Sequence, residues 1–465
     1  MRPTCISAPG KLLLTGGYLV LDEQYAGIVL SSTARFSSHV DVKIRDDGNN
    51  VAVSLSEWRP LFPLTVESPQ FKQLISGWIE KNNDGRFRFQ LRENSHRNAY
   101  IEKTGDNDFY SQVKRLQDTK LPLRRESLKA LQAFLPPTVV ERGDELVALK
   151  TGMGSSAALV TSLVAALVAF FVPSMKIEEQ RRDLELVHNL AQLSHCYVQR
   201  KIGSGFDVSA ACFGSHVYTR FPASILDAFT SEDAMKSEDI ALCITDYELW
   251  ETSNRVKSVR LPSAFHLLMG DVSSGSATVS MVRKILRWKK DQPEHAERVM
   301  EAINRHSMEV EAGFAEIWEL EASLCTPFDW KAMAASNRNK WSTMHAKIGT
   351  ALLRTSEAYA RFRELMRNMG AAAGVPIEPP QQTAILDATL AIPGVLLAGV
   401  PGAGGYDAIC VVVIHESVLQ TVEDLWVQWS STHPNSVICP LLCDIDRGLE
   451  SSSAARSGLQ VHSVE

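Results

Sequence analysis

The stretch that decides the fold is Lys150-Thr151-Gly152-Met153-Gly154-Ser155-Ser156-Ala157-Ala158-Leu159, a glycine–serine loop followed by an apolar run. Its two glycines allow backbone conformations that a side chain would forbid. The unpaired N–H groups of the helix that follows would point at an anion, and the helix dipole favours negative charge there. The loop therefore predicts a phosphate site. The alternative is an ordinary helix start capped by a serine.

Composition and spacing exclude several classes of protein. The glycine–serine loop is not a P-loop, because no Gly-Lys-Ser or Gly-Lys-Thr follows four residues after a first glycine. A net charge of −6 provides no basic field, so we expect no nucleic-acid partner. The 8 cysteines include no C-x-x-C pair. This spacing argues against structural zinc or a disulfide framework and favours a reducing compartment.

Membrane and targeting signals point to a cytoplasmic protein. The most apolar run, residues 157–172, is shorter than the roughly 20 residues that cross a bilayer, so we expect a buried helix and no membrane partner. The first residues show neither an apolar signal core nor an arginine-rich leader, and the last residues are not a peroxisomal tripeptide. A peroxisomal location stays open as the alternative.

The order of apolar runs predicts an α+β protein rather than alternating βαβ units. Pro9-Gly10 is predicted to be a turn. Short or alternating runs predict strands, among them Ile6–Ala8, Leu12–Leu14, Tyr18–Leu21, Gly27–Leu30, His216–Phe221, Ile240–Thr245, Ala264–Met269, Gly394–Leu397 and Ala408–Val413. Longer runs predict helices at about 155–171, 177–201, 277–290, 294–323, 329–370, 381–390 and 416–429.

Three glycine-rich segments carry a family resemblance. SAPGKLLLTGGYLVLD (7–22), KTGMGSSAALV (150–160) and AGVPGAGGYDAI (398–409) resemble the three signature motifs of the GHMP kinases. Further stretches resemble the phosphomevalonate kinase branch of that superfamily: NDFYS (107–111), KIGSGFDVSAACFGSHVYTRF (201–221), GDVSSGSATVSMVRKILRW (270–288) and AGVPIEPPQQTAILDA (373–388).

The resemblance implies a fold and an activity. It implies a two-domain GHMP kinase fold, with a ribosomal S5 domain 2-like α/β domain over 1–225 and a ferredoxin-like α/β domain with extra helices over 226–465. It implies transfer of the ATP γ-phosphoryl group to phosphomevalonate, with Mg²⁺ bound to the ATP. The expected partners are small molecules, and the chain is expected to be a monomer or homodimer. The alternatives are a mevalonate kinase, the related diphosphate decarboxylase, another GHMP-type kinase, and a silent GHMP-fold sensor.

The resemblance places two catalytic residues, Asp207 and Lys11. Asp207 follows a glycine turn, where a lone aspartate is usually a helix N-cap. The resemblance makes it the catalytic aspartate near the acceptor and the γ-phosphate. A phosphate acceptor is already largely ionised at pH 7, because its second pKa is about 6. Whether Asp207 abstracts a proton or only orients the acceptor therefore stays open. Lys11 is either a surface charge or an active-site cation that pairs with Asp207 or the reacting phosphate.

The resemblance also implies ligand-binding residues. ATP would contact Lys150, Gly152, Met153, Gly154, Ser155, Ser156, Ala157 and Asn107, and the hydroxyls of Ser155 and Ser156 would contact the magnesium. The acceptor would contact Tyr18, Lys201, Ser204, Ser274, Gly275, Ser276, Arg283, Gly402, Ala403 and Gly404. Cys196 stands where mevalonate kinases hold their metal with a glutamate, and a thiol is a poor magnesium ligand. We expect its neighbour, His195, to be a hydrogen-bonded core histidine.

Overall fold

A computed structural model describes residues 3–41, 61–68, 73–81, 87–91, 108–119, 121–131, 138–142, 145–148, 154–229, 236–272, 278–434, 436–447 and 457–463. The chain divides into two compact units, one of residues 1–42 with 152–465 and one of residues 43–151. No helix in the described ranges is both long and apolar enough to cross a membrane.

The elements alternate irregularly along the chain. The strands are β1 Thr4–Leu13, β2 Ala26–Val40, β3 Leu61–Ser68, β4 Gln73–Lys81, β5 Phe87–Leu91, β6 Val139–Arg142, β7 Glu145–Ala148, β8 His216–Thr219, β9 Val256–Ser258, β10 His266–Val272, β11 Val395–Gly399, β12 Ala408–Val413, β13 Ile438–Pro440 and β14 Gln460–His462. The helices are α1 Phe109–Asp118, α2 Arg125–Lys129, α3 Ser155–Phe171, α4 Arg181–Gln199, α5 Phe206–Phe213, α6 Ser237–Thr245, α7 Tyr247–Trp250, α8 Thr252–Arg255, α9 Thr278–Asp291, α10 Pro293–Ala322, α11 Trp330–Ala335, α12 Trp341–Met344, α13 Ala346–Ala373, α14 Pro380–Leu390 and α15 Leu419–Thr432.

The larger unit contains a five-stranded antiparallel sheet in the order β14-β1-β2-β8-β9. Buried alanines of α3, such as Ala158 and Ala165, pack against Ile6 and Ala8 of β1. The small side chains of this apolar helix let it approach the sheet closely. The helix Ser155–Phe171 is confirmed at both ends.

A second antiparallel sheet in the same unit has the order β11-β12-β10-β13. All residues of β11 and β12 are buried. The long helices α10 and α13 pack against each other, and the core between these elements includes Phe265, Phe314 and Trp426. The predicted strands Gly394–Leu397 and Ala408–Val413 are confirmed as β11 and β12, which pair with each other.

Three predictions of local structure are wrong. Pro9-Gly10 is no turn, because β1 continues through it with a shift of register between Pro9 and Lys11, where a proline without an N–H is tolerated. Leu19–Leu21 is a 3₁₀ turn rather than a strand. Ser237–Thr245 is a helix rather than a strand. Its short apolar run fits the periodicity of a strand as well as that of a helix. Glu238 and Asp239 in the first turn interact favourably with the helix dipole and stabilise the helix.

The smaller unit contains the antiparallel sheet β3-β4-β5 and the hairpin β6-β7. The last strand of this sheet, β5, is the alternating run Phe87–Leu91. Helix α1 begins with a side-chain cap, since Asp108 Oδ1 accepts a hydrogen bond from the Ser111 N–H at 3.0 Å. The unit thus has an α+β composition of its own, as the larger unit has.

Candidate active site

The larger unit contains a cleft of about 250 Å³ that is lined by residues from distant parts of the chain. Its lining includes the end of β1, the loop before α5, and the glycine-rich turn between β11 and β12. Of the predicted site residues, six line it: Lys11, Tyr18, Ser204, Gly402, Ala403 and Gly404. The structure therefore brings the first and third glycine-rich segments of the sequence together.

Lys11 lies between the starts of α3 and α5. A Cβ at position 154 would lie 2.7 Å from its Cε, so its carbon chain packs on Gly154. Its Nζ is 5.3 Å from the centroid of the Phe206 ring. Burial lowers the pKa of Lys11, and the charge of Asp207 raises this pKa in opposition. Lys11 is therefore a partly buried residue of the cleft lining, packed on Gly154 and close enough to Asp207 to be affected by its charge, rather than a fully solvated surface lysine.

Helix α3 begins without a side-chain cap. Its N-cap is Gly154, in the left-handed conformation with φ 72° and ψ 36°, and no side chain accepts a hydrogen bond there. Ser155 and Ser156 are the first two helical residues, so the serine-capped alternative is wrong. The first-turn N–H groups of a helix have no partner within the helix and are suited to an anion. Ala157 is fully buried.

Asp207 is held in the first turn of α5. The N-cap of this helix is Gly205, with φ 84°, so the alternative of Asp207 as the N-cap is wrong. Its Oδ1 accepts a hydrogen bond from the Val208 N–H at 3.0 Å. A carboxylate in the first turn interacts favourably with the helix dipole. Asp207 directly follows Phe206, which lines the cleft.

The glycine-rich turn closes the cleft and is bonded to β1 and to Tyr18. The Gly402 N–H donates to the Leu13 carbonyl at 2.9 Å. The Tyr18 hydroxyl donates to the Ala403 carbonyl at 2.7 Å, and burial raises the pKa of Tyr18, which keeps that proton in place. A Cβ at position 404 would lie 2.2 Å from the Ile377 carbonyl oxygen, so a side chain there would collide with backbone.

Comparison with known proteins decides the family. The family model of the GHMP kinases N terminal domain matches residues 129–215. The chain is 32% identical over 481 residues to the peroxisomal phosphomevalonate kinase of Arabidopsis thaliana, covering 91% of this chain and 92% of that protein. It is also 32% identical over 470 residues to the phosphomevalonate kinase of Gibberella zeae, covering 92% of each. This chain belongs to the phosphomevalonate kinase family of GHMP kinases.

One solved structure is similar to this chain in fold. A Lin0012 protein from Listeria innocua has 15% identity to the chain, with a TM-score of 0.59 over 99% of both chains. At this identity the likeness concerns the fold alone. Membership of the phosphomevalonate kinase family confirms the two-domain α+β GHMP kinase fold expected from the motifs.

Some predicted residues of this GHMP kinase lie away from the cleft lining. Lys201 is exposed just after α4, and Arg283 is exposed on α9 beside Val282, which lines the cleft. Seven predicted residues lie outside the described ranges: Asn107, Lys150, Gly152, Met153, Ser274, Gly275 and Ser276.

The helix beside the glycine–serine loop holds a histidine and a cysteine that fit core roles. His195 is buried, and its Nε2 lies 2.7 Å from Gln199 Nε2 and 3.3 Å from the Ser156 hydroxyl oxygen. This environment confirms a hydrogen-bonded core histidine. Burial raises the pKa of the adjacent Cys196 thiol, which disfavours the thiolate that would bind a metal.

Sequence reasoning missed several lining residues, of which Asp407 carries charge. It lies at the end of the glycine-rich turn, and its carbonyl accepts a hydrogen bond from the Val272 N–H at 2.8 Å. A signal was present, since it is the single charged residue of AGVPGAGGYDAI. Met269 and Val282 also line the cleft, and nothing in their local sequence distinguishes them from core residues.

Proposed function

We propose that this protein transfers the γ-phosphoryl group of ATP to (R)-5-phosphomevalonate, giving 5-diphosphomevalonate and ADP in the mevalonate pathway of isoprenoid synthesis. The observation that carries the proposal is the 32% identity to a phosphomevalonate kinase over 91% of this chain. The cleft supports it, because it joins Lys11 and the Asp207 helix to the glycine-rich turn. In the reaction an oxygen of the acceptor phosphate attacks the γ-phosphorus, the bond to the β–γ bridging oxygen breaks, and ADP leaves.

Asp207 and Lys11 are the proposed catalytic residues. Phosphoryl transfer passes through a loose transition state, so positioning and charge neutralisation dominate catalysis. Two anions must approach each other in this reaction, and the Lys11 ammonium in the cleft would reduce their repulsion. Asp207 would orient the acceptor and hold Lys11 in its charged form, because its charge raises the Lys11 pKa. A strong general base is not required for an acceptor oxygen that is already ionised.

ATP is proposed to bind at the start of α3, with the N–H groups after Gly154 facing its phosphates. The remaining proposed contacts are Lys150, Gly152, Met153, Ala157 and Asn107. The position fits phosphate, because a Cβ at residue 154 would fill the space beside Lys11 and because the helix start carries no side-chain cap.

Magnesium would be held by the ATP phosphates with the hydroxyls of Ser155 and Ser156. In the ranges that the structure describes, no group of three or more His, Cys, Asp or Glu side chains could hold a metal ion. Hard hydroxyl oxygens fit a Mg²⁺ ion that keeps several waters and nucleotide oxygens. When bound, the ion neutralises charge on the phosphates.

The acceptor is proposed to bind on the side of the cleft opposite the nucleotide. Its contacts would be Tyr18, Ser204, Gly402, Ala403 and Gly404 in the cleft, together with Ser274, Gly275, Ser276, Arg283 and Lys201. The division into a nucleotide domain over 1–225 and a substrate domain over 226–465 is part of the same proposal. We also propose a cytoplasmic monomer or homodimer, which fractionation and light scattering would check.

A coupled ADP-release assay tests the function. Wild-type protein is incubated with MgATP and either phosphomevalonate, mevalonate or galactose. We expect ADP release with phosphomevalonate alone. Equal turnover of mevalonate and phosphomevalonate would instead indicate a mevalonate kinase, and no turnover with any acceptor would indicate a silent sensor.

A further inference from the structure

The loop that leads into the Asp207 helix is fixed through its backbone. Each carbonyl of residues 203–205 accepts a hydrogen bond from a side chain outside the loop. The three bonds are Arg220 Nη2 to Gly203 O at 3.0 Å, the Tyr218 hydroxyl to Ser204 O at 2.7 Å, and Gln192 Nε2 to Gly205 O at 2.6 Å. The donors come from α4, from β8 and from the residue after β8.

The surroundings of Gly205 leave little room for another conformation at the end of this loop. Gln192 and Tyr218 are 0% and 2% exposed. A Cβ at Gly205 would lie 2.8 Å from polar atoms of both these residues and 2.5 Å from the Phe221 ring. The φ of Gly205 is 84°, which a residue with a side chain rarely adopts. Gly205 is buried, whereas Gly203 and Ser204 are partly exposed. Loss of a donor therefore removes one hydrogen bond that fixes the loop, although the Gly205 carbonyl also accepts one from the Ser209 N–H at 3.0 Å.

Arg220 also connects this loop to a different part of the cleft. Its Nη1 donates to the Leu21 carbonyl at 2.8 Å, and Leu21 lines the cleft. Its own carbonyl accepts a hydrogen bond from Arg255 Nη1 at 2.5 Å. One guanidinium group therefore spans the loop before Asp207 and the 3₁₀ turn after Tyr18.

We propose that Gln192, Tyr218 and Arg220, here called the loop clamp, are positioning residues for phosphoryl transfer. They fix the 203–205 loop so that α5 presents Asp207 at the cleft. The inference rests on the proposed function of Asp207. It follows from the sensitivity of this chemistry to alignment, because a displacement of about 1 Å at a reacting group can cost about 100-fold in rate.

The smallest change that tests the clamp is Tyr218→Phe, which removes one hydroxyl and keeps the ring. We expect kcat for phosphomevalonate to fall about tenfold, with the KM for ATP changed by less than about twofold. Tyr25→Phe is the matched control, since Tyr25 is also a buried tyrosine and does not line the cleft. We expect it to leave kcat unchanged.

A double mutant separates positioning from a general structural role. If the clamp acts through Asp207, adding Tyr218→Phe to Asp207→Asn should cause no further loss of the residual kcat. If the two losses multiply, the clamp does not act through Asp207 and the inference is wrong.

Arg220 gives a second series of variants. Arg220→Lys should retain more activity than Arg220→Met, because lysine still reaches one carbonyl as a donor.

Hydrogen–deuterium exchange tests the clamp without any acceptor. Exchange of the amides in residues 203–209 should become faster in Tyr218→Phe and stay as in wild type in Tyr25→Phe. Unchanged exchange in Tyr218→Phe would overturn the clamp even if the protein is active. Faster exchange in a protein that does not phosphorylate phosphomevalonate would retain the clamp and contradict only the proposed function.

Discussion

The two helices that begin beside Lys11 start in the same way and are supported differently. Both α3 and α5 have a left-handed glycine as N-cap, Gly154 and Gly205, and neither has a side-chain cap. At Gly205 the carbonyls of residues 203–205 accept hydrogen bonds from the side chains of Arg220, Tyr218 and Gln192. At Gly154 the neighbouring group is the flexible chain of Lys11.

This difference matches two tasks. A helix start that binds a ligand needs open N–H donors, and a helix start that presents a side chain needs a fixed backbone. We propose that the start of α3 has the first task and the start of α5 the second. Lys11 contacts the glycine of the first and the Phe206 ring of the second, so one cation serves both.

The largest expected effect is at the fixed helix start. Asp207→Asn should lower kcat for phosphomevalonate by at least about 100-fold, because the lost interaction belongs mainly to the transition state. Steady-state kinetics with both substrates varied will check this. A kcat within about twofold of wild type would remove the distinction between the two helix starts.

The charge of Lys11, which lies between the two helix starts, should affect both the size of kcat/KM and its dependence on pH. Lys11→Met should reduce kcat/KM about 10- to 100-fold, since a charge-assisted interaction is lost. Because burial lowers the pKa of Lys11 below 10.5, wild-type kcat/KM should fall as pH rises through that lowered value.

Lys11→Arg provides the control for this titration. An arginine stays charged over the accessible pH range, so the alkaline decrease should move to higher pH or disappear. An alkaline decrease at the same pH in wild type and Lys11→Arg would assign it to another group.

At the open helix start we expect a binding defect. Gly154→Val should raise the KM for ATP about tenfold or more, because a Cβ would meet Lys11 Cε at 2.7 Å and φ 72° disfavours a branched residue. Gly374→Ala is a matched control, since Gly374 has φ 66° and no atom within 4 Å of the added Cβ. We expect the control to leave the KM for ATP unchanged.

The smallest effect concerns the support of α5. His216 Nε2 lies 3.0 Å from the Ser209 hydroxyl oxygen of α5, and burial lowers the pKa of His216 from 6.5 to about 4. The folded state therefore binds fewer protons than the unfolded state between these values. Stability should be full above about pH 6.5 and decrease as pH falls towards 4.

Thermal unfolding at pH 7 and pH 5 checks the acid effect. His216→Gln should reduce the Tm difference between the two pH values by a few degrees. The same change at the exposed His295 should leave the difference as in wild type. An equal pH dependence of Tm in wild type and His216→Gln would show that protonation of His216 does not cause the loss of stability at low pH.

The sequence predicted the parts of the fold that local pattern determines. A long apolar run between Gly154 and Pro173 fixes α3, and its ends are as predicted. Short runs were less reliable: the apolar residues of Ile240–Thr245 suit a strand or a helix, and packing of α6 on α4 decides between them. Pro9-Gly10 is a turn signal that pairing with β2 overrides.

The residues of the candidate site that lie in sequence motifs could be predicted. Those whose role depends on tertiary contacts could not. The glycine-rich segments indicated Lys11, Asp207 and the 402–404 turn, which lie in or beside one cleft. Neither Gln192 nor Tyr218, which lies within the family-resembling stretch 201–221, shows a local sign of a positioning role. One lies in a short strand and the other in an amphipathic helix, and their role arises only where those elements meet the 203–205 loop.

Direct titration with a nonhydrolysable ATP analogue and Mg²⁺ tests the division between the two helix starts most directly. Calorimetry on wild type, Gly154→Val and Asp207→Asn measures nucleotide affinity without turnover. We expect Gly154→Val to bind about tenfold or more weakly and Asp207→Asn to bind as wild type does. Wild-type affinity in Gly154→Val, or an equal loss in both variants, would contradict the assignment of nucleotide binding to the start of α3 and of chemistry to the start of α5.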